Sequence, residues 1–258
     1  MSSSFSDHFS GVSSAYAEFR PRYPDSLFAW LAGLPAGRGL AWDCATGSGQ
    51  AAIELASRFE RVVATDASAE QIGAAVPHPH VDYRVAPAEA SGLDSESVDL
   101  VTVAQALHWL DRPAFFAEVR RVLRPDGAVA AWAYGNPRVD ETRADEVLRR
   151  FTSETVGPYW PPERALVDAE YRTIDFPFAE IEPPAFPMEA WWPLSALLGY
   201  IGTWSATTRF RASQGYDPLP ALAARLRHFW GDPETPRRIE WPLALRVGRV
   251  EAPKKASQ

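Results

Sequence analysis

The chain is poor in cysteine and has no cluster of basic residues. Among its 258 residues there is one cysteine, Cys44, which excludes an intrachain disulfide. Residues 1–4 lack the basic and apolar regions of a signal peptide, so we predict a cytoplasmic protein in a reducing compartment. With 26 Lys and Arg against 33 Asp and Glu, the net charge is −7. Such a surface repels phosphate backbones, and we expect no nucleic-acid partner.

A long apolar run and a group of metal ligands are also missing from the sequence. The stretch 190–208 carries no charge, but it contains Pro193, Gly199 and Gly202. A helix that crosses a membrane needs about 20 predominantly apolar residues. We therefore predict no membrane partner and interpret the stretch as a buried or pocket-lining helix. The sequence pair His78 and His80 lies among prolines, which is typical of a solvated loop, so no metal site is predicted.

What the chain does contain is an alternation of short apolar runs and helical patterns over residues 38–134. This order is typical of βαβ units that build a parallel sheet. Strands are predicted at 40–43, 61–66, 81–85, 98–104 and 128–134. Farther along the chain, helices are predicted at 140–151, 194–203 and 219–230, followed by one late strand at 238–250 that returns to the sheet edge.

A turn with two glycines follows the first predicted strand. Gly47 and Gly49 let the backbone approach a ligand without a Cβ, and the next helix presents unpaired N–H groups and the positive end of its dipole. Nineteen residues after Gly47, Asp66 ends the second strand, where it can accept hydrogen bonds from a ribose diol. These features indicate a cofactor that contains adenosine.

The residue before the turn decides between two such cofactors. Asp43 would repel the pyrophosphate of a dinucleotide, whereas it suits a ligand with a cationic end, such as the ammonium of a methionine group. The dinucleotide pattern is also incomplete, because Ala45 and Ala52 occupy its first and third glycine positions. The residues therefore favour S-adenosylmethionine over NAD.

Several blocks of the sequence resemble the class I S-adenosylmethionine-dependent methyltransferases with a type 11 domain, and in particular the branch similar to trans-aconitate methyltransferases. The blocks occur in the family's order and cover most of the chain. They are residues 20–24, 43–49, 63–68 with Gln71, Ala88 with Glu89, 104–109, 118–127 and 199–205.

The resemblance implies a role for each matching residue around the cofactor. Asp43 and the turn formed by Ala45, Thr46, Gly47 and Gly49 would hold the methionine portion, and Asp66 the ribose hydroxyls. Ala67 and Gln71 would flank the adenine, and Pro87, Ala88 and Glu89 would meet its edge. Ala104 and Gln105 would form the floor under the sulfonium, and Tyr16 and Arg20 would cover the site. Pro87 departs from the aspartate of many relatives, since it has no side-chain acceptor for the adenine amino group.

Two interpretations stay open for each residue that would meet the methyl acceptor. His108 is the candidate catalytic base, or else a hydrogen-bonded structural residue at a strand end. Arg20 and Arg22 can grip a carboxylate, or pair with surface acids. Trp109, Tyr200, Trp204 and Arg209 would line the acceptor pocket, or belong to the core and its surroundings.

The fold implied by the resemblance is a Rossmann-like α/β fold with a seven-stranded, mostly parallel sheet, helices on both faces and a helical lid inserted before the last strand. We expect a cofactor-covering segment at 1–37, a cofactor-binding α/β core at 38–137, a lid and substrate region with the last strands at 138–250, and a disordered tail at 251–258.

The implied function is methyl transfer from S-adenosylmethionine to a small molecule, with S-adenosylhomocysteine as product, by a monomer or homodimer. The expected acceptor is a carboxylate such as an aconitate-like acid, because an ionised carboxylate needs no general base. Two alternatives stay open: a nicotinamide-dependent oxidoreductase, and a catalytically silent protein that binds the cofactor.

Overall fold

The computed structural model describes residues 20–250, so Tyr16 and the predicted tail at 251–258 lie outside the described residues. The chain divides into two units. The sheet unit contains residues 23–134, 165–186 and the chain from Leu243 onward, whereas the insert unit contains residues 135–164, 187–242 and the segment that ends at Arg22. The units are thus interleaved along the chain, while the blocks that we expected from the sequence are contiguous.

The elements are numbered here in chain order over the described residues. The strands are β1 (Leu40–Cys44), β2 (Arg61–Asp66), β3 (Val81–Val85), β4 (Val98–Ala104), β5 (Leu123–Tyr134), β6 (Arg138–Val139), β7 (Ala179–Glu180), β8 (Met188–Trp192), β9 (Arg237–Trp241) and β10 (Leu243–Arg249). The α-helices are α1 (Asp25–Ala32), α2 (Gln50–Ala56), α3 (Ala69–Gly73), α4 (Arg112–Val122), α5 (Thr142–Arg150), α6 (Arg164–Asp168), α7 (Leu194–Gly202), α8 (Ser205–Gln214) and α9 (Leu219–Trp230).

The sheet unit is built on seven strands in the order β3-β2-β1-β4-β5-β10-β7. The strands β1 to β5 run parallel to one another, and β10 runs antiparallel to both β5 and β7. The predicted Rossmann-like, mostly parallel α/β sheet is confirmed. Every residue of β4 before Ala104 is buried, as expected of a central strand covered on both faces.

The order of the strands places the carboxyl ends of β1, β2 and β4 side by side. Asp43 on β1 is in register with Ala64 on β2 and with Thr102 on β4. Trp42 donates a hydrogen bond from Nε1 to Thr65 Oγ1 at 2.9 Å, which ties the buried ends of β1 and β2 together. In an open parallel sheet, ligands bind beyond this edge, where the strand order reverses.

The single late strand predicted at 238–250 is wrong. The structure has two strands there, β9 and β10, and they belong to different sheets. Pro242 separates them, because proline has no N–H to donate to a ladder. The predicted return to the sheet edge is wrong as well, since β10 lies between β5 and β7.

The insert unit holds a three-stranded antiparallel sheet, in the order β6-β9-β8, and the helices α5, α7, α8 and α9. The single helix expected over 190–208 is replaced by the end of β8 and by α7 and α8. Pro193 ends the strand and caps α7, and the hydroxyl of Thr207 donates to the carbonyl of Ile201 at 2.9 Å across the break between the helices. Across residues 20–250, no helix is long and apolar enough to cross a membrane.

Candidate active site

The turn after β1 depends on backbone conformations that glycine adopts readily. Ala45, Gly47 and Gly49 have φ values of +52°, +56° and +87°. A Cβ at Gly49 would lie 2.3 Å from the hydroxyl oxygen of Tyr83, so both the φ angle and the space require glycine there. Gly49 also precedes α2 directly. The turn therefore brings backbone that carries no side chain at positions 47 and 49 to the carboxyl edge of the sheet.

Asp43 is a buried carboxylate at this edge, with 1% of its surface exposed. Its Oδ1 accepts a hydrogen bond from Thr102 Oγ1 at 2.6 Å, and its Oδ2 accepts one from Thr46 Oγ1 at 2.6 Å. The pKa of Asp43 is raised to about 6, mainly by burial and to a smaller extent by the charge of Asp66, and the two hydrogen bonds oppose this rise. Among the causes of this pKa within residues 20–250, none is a positively charged side chain.

Asp66, at the end of β2, is tied to the same turn. Its Oδ2 accepts from the backbone N–H of Gly47 at 2.9 Å, and its Oδ1 accepts from the backbone N–H of Ser68 at 2.9 Å. Ser68 in turn caps α3, since its hydroxyl accepts from the backbone N–H of Gln71 at 3.3 Å. Two acids and a glycine turn therefore meet at one edge of the sheet, as the spacing predicts.

The other residues expected at the cofactor lie on loops around this edge. The side-chain oxygen of Gln71 is 3.8 Å from the position of a Cβ built on Gly47. Glu89 is exposed, but its charge adds to the burial that raises the pKa of Cys44, which places Glu89 near the end of β1. Ala67 and Pro87 are exposed, and Ala88 packs against the core. These positions are compatible with a ligand, and their contacts with one stay a prediction.

The end of β4 carries a second strained turn. Gln105 has φ +55°, and its backbone N–H donates to the carbonyl of Trp132 on β5 at 2.8 Å. Its side-chain amide donates to the carbonyl of Tyr134 at 3.4 Å. Ala104 and Gln105 are half-buried, so part of each faces the space beyond the strand ends. This exposure fits the floor position predicted for them.

His108 is buried in a short 3₁₀ turn after β4 and is held by a tyrosine that the sequence did not point to. Its Nδ1 lies 2.8 Å from the hydroxyl oxygen of Tyr171, which is fully buried. Trp109 packs against the imidazole with ring centroids 4.9 Å apart. Because Tyr171 is 63 residues away in the chain, no local spacing could have indicated this contact.

The remaining candidates lie in the insert unit. Tyr200 and Trp204 are buried and pack edge to face, with ring centroids 5.6 Å apart. Arg22 is exposed, whereas Arg20 and Arg209 are half-buried. Trp109, by contrast, belongs to the sheet unit. That these five residues and Trp109 converge on one acceptor or cofactor stays a prediction.

Sequence reasoning missed two other residues at the site. Thr102 donates to Asp43, and Tyr83 occupies the space that a side chain at position 49 would need. A threonine on a buried strand is too common to single out in a sequence. Over residues 20–250, no group of three or more His, Cys, Asp or Glu could hold a metal ion.

Comparisons with known proteins also indicate a methyltransferase. A family described as a methyltransferase domain matches residues 42–131. A protein of Dictyostelium discoideum whose name assigns it to the methyltransferases is 35% identical over 225 residues, which cover 86% of this chain and 86% of that protein. A solved structure from Anaeromyxobacter dehalogenans, described as a type II methyltransferase, is 50% identical, has a TM-score of 0.85 and covers 89% of this chain and 97% of its own.

A more distant structure shows the fold alone. The YcgJ protein of Bacillus subtilis is 16% identical and has a TM-score of 0.51 over 89% of this chain and 100% of its own. The similarity to the first two proteins, in contrast, extends over most of the chain and is not restricted to the glycine turn.

Proposed function

The chain belongs to the class I S-adenosylmethionine-dependent methyltransferases, and from this premise we propose that it methylates a small-molecule carboxylate, with an aconitate-like acid as the first candidate. The fold implies use of S-adenosylmethionine, and the residues at the edge of the sheet fit that cofactor. The observation that supports methyl transfer from this cofactor is Asp43, a carboxylate that is 1% exposed, whose pKa is raised to about 6 mainly by burial and which lies beside a second acid.

A cationic group satisfies the buried carboxylate of Asp43, and an anionic one does not. The methionine portion of the cofactor carries an ammonium, and a positive charge close to Asp43 lowers its pKa and favours its ionised form. A pyrophosphate at the same turn would meet the negative charge of Asp43. The charge of Asp43 therefore supports a methyltransferase against the alternative of a nicotinamide-dependent oxidoreductase.

The individual residues keep the roles around the cofactor that the resemblance implies. In the proposed site, Asp43 and residues 45–49 hold the methionine portion, and Asp66 accepts from the ribose hydroxyls with the lone pairs that Gly47 and Ser68 leave available. The residues assigned to adenine recognition are Ala67, Gln71, Pro87, Ala88 and Glu89. Ala104 and Gln105 form the floor, and Tyr16 and Arg20 are the proposed cover.

When bound, the cofactor supplies an already activated methyl group. The protein's own residues then need to align the acceptor and exclude water. In the proposal Arg22 and Arg209 provide positive charge for the acceptor's carboxylate, and Trp109, Tyr200 and Trp204 keep water away. An ionised carboxylate already has the lone pair that the transfer uses, so it requires no proton acceptor.

A catalytically silent cofactor-binding protein is the other alternative. One reason for it was that Ala45 replaces the first glycine of the family's turn, and the conformation of Ala45 weakens that reason. Ala45 adopts a positive φ of 52°, so the turn keeps its shape with alanine in place of glycine. Pro87 leaves adenine recognition to backbone atoms or to a neighbouring side chain.

Release of S-adenosylhomocysteine tests the proposal directly. The full chain is incubated with S-adenosylmethionine and, in separate reactions, with carboxylates including trans-aconitate, with phenols and with amines. We expect product only with carboxylates. Product with a phenol or an amine would overturn the acceptor class, and cofactor binding without product would favour the silent protein.

A matched pair of variants tests the proposed charge. Arg209→Gln should raise KM for the carboxylate by about tenfold, because a charge-assisted hydrogen bond is lost, while Arg209→Lys, which keeps the charge, should raise it less. Equal effects of the two substitutions would contradict a role for the charge of Arg209.

A further inference from the structure

The side chains of Tyr171 and His108 are in hydrogen-bond contact inside the sheet unit. The hydroxyl oxygen of Tyr171 lies 2.8 Å from Nδ1 of His108, and the two ring centroids are 6.0 Å apart. Both residues belong to the sheet unit, although Tyr171 comes from the segment after α6 and His108 from the turn after β4. We propose that Tyr171 is a positioning residue that fixes His108 with its ring proton on Nε2, so that His108 is a hydrogen-bond donor and not a general base.

The hydroxyl of Tyr171 is protonated and needs a hydrogen-bond acceptor. Tyr171 is fully buried, and this burial raises its pKa well above the usual range despite the opposing effect of Arg112, so the hydroxyl keeps its proton. A buried hydroxyl must donate its proton to an acceptor or lose free energy. The oxygen also makes a hydrogen bond with the backbone of His108, and the ring acceptor within reach is Nδ1. A neutral imidazole that accepts at Nδ1 carries its own proton on Nε2.

The backbone that presents Tyr171 is strained, which indicates that the position of its side chain is imposed. Glu170 and Tyr171 have φ values of +54° and +58°, two consecutive residues other than glycine in the left-handed region. Such conformations persist only where the surrounding structure holds them, and they are frequent at functional sites.

Arg246 on β10 holds the backbone at Tyr171 in this conformation. Its guanidinium donates to the carbonyl of Tyr171 at 2.7 Å and to the carbonyl of Ile174 at 3.2 Å. The same group pairs with Glu180 on β7 through two hydrogen bonds, at 2.7 and 2.8 Å. The two strands at the end of the sheet therefore clamp the backbone from which the phenol reaches His108.

This inference rests on the proposed function and narrows its substrate. A ring with its proton on Nε2 has no lone pair on that nitrogen, so it cannot take a proton from an alcohol or an amine. It can donate a hydrogen bond to an acceptor oxygen. An acceptor that is already ionised, such as a carboxylate, is the class that this arrangement serves.

Nitrogen NMR of the full chain, labelled with ¹⁵N-histidine, tests the inference without any acceptor. The chain has five histidines, and the signals that disappear in His108→Gln assign His108. We expect an unprotonated Nδ1 and a protonated Nε2 in the wild-type protein at neutral pH. A protonated Nδ1 in the wild-type protein would overturn the inference, and this result requires no variant of Tyr171 to fold.

Tyr171→Phe separates positioning from packing. The substitution keeps the ring and removes only the hydroxyl, so a purely structural role would leave the tautomer of His108 unchanged. We expect instead that the preference for Nε2 weakens and that the two nitrogen signals move towards each other. The control is Tyr159→Phe, which removes a hydroxyl that accepts from Gln214 in the insert unit, and it should leave the signals of His108 as they are.

Calorimetry with S-adenosylhomocysteine on the same samples keeps the two proposals apart. If the protein does not bind the nucleoside, the proposed function fails. The tautomer of His108 is still decided by the nitrogen NMR signals alone. Tyr171→Phe should bind the nucleoside within about twofold of wild type, since the tyrosine acts on His108 and is not assigned to the cofactor.

Discussion

Replacing Asp43 with asparagine should stabilise the protein at alkaline pH and at the same time remove most of its affinity for the cofactor. The carboxylate is 1% exposed, and burial is the largest cause of its raised pKa. Asparagine has nearly the same shape and no charge. The hydroxyls of Thr46 and Thr102 can each donate or accept, so one of them can rotate to accept from the new amide.

The magnitude follows from the two pKa values of Asp43. The folded state has a pKa of about 6 and the unfolded state one of 3.8, so the folded protein binds more protons between these values and its stability falls as the pH rises through them. At pH 8 the full difference of about 2 units costs about 3 kcal/mol, and roughly 1 kcal/mol of this is already present at pH 4.5. The stability of Asp43→Asn relative to wild type should therefore increase by about 2 kcal/mol between pH 4.5 and pH 8.

Urea unfolding of both proteins at these two pH values measures that increase. Asp126→Asn, which neutralises an exposed acid on β5, is the control and should show a much smaller change. Calorimetry at pH 8 should show S-adenosylmethionine bound at least about tenfold more weakly by Asp43→Asn than by wild type, because the charge that attracts the ammonium is gone. A stability difference that does not depend on pH, or unchanged affinity, would refute the reasoning.

Three further substitutions test the geometry of the sheet unit. Asp66→Ala should weaken S-adenosylmethionine binding by about 1–3 kcal/mol, through ribose hydroxyls left unpaired, and unchanged affinity in calorimetry would refute the assignment. Gly49→Ala should lower the free energy of unfolding by about 2 kcal/mol, because position 49 has φ +87° and a Cβ there would clash with the hydroxyl of Tyr83. In urea titrations, adding Tyr83→Phe should recover part of this loss, and no recovery would argue against the clash. Glu118→Gln should cost about 1–3 kcal/mol near pH 7. Arg121 and Ser91 hold the pKa of Glu118 at about 2, so this contribution is lost as the pH falls from 4.5 towards 2, and a cost that persists near pH 2 would contradict the account.

The sequence predicts the parallel part of the sheet well because each strand is signalled locally. The strands β2, β3 and β4 begin and end at the predicted residues. The strand β2 contains an uninterrupted apolar run and β4 is mostly apolar, whereas β3 alternates apolar and charged residues. The cap at Ser68 and the position of Asp66 are also local features. The acid and glycine turn could be placed at the sheet edge for the same reason.

Other features depend on contacts between distant residues and carry no local signal. Pro242 marks a break within 238–250, but that β9 and β10 belong to different sheets follows only from their pairing partners. The strand at Met188–Trp192 is short, and its neighbour in the sheet is β9, far along the chain. Tyr171 reaches His108 because a strained backbone and Arg246 place it there, and a single sequence does not express such an arrangement.

Native mass spectrometry of the full chain, mixed with equal concentrations of S-adenosylmethionine and NADH, tests the central claim about the two acids most directly. The account predicts one S-adenosylmethionine bound per chain and no NADH, with the bound fraction strongly reduced in Asp43→Asn. A complex with NADH, or equal binding of S-adenosylmethionine by wild type and Asp43→Asn, would contradict it.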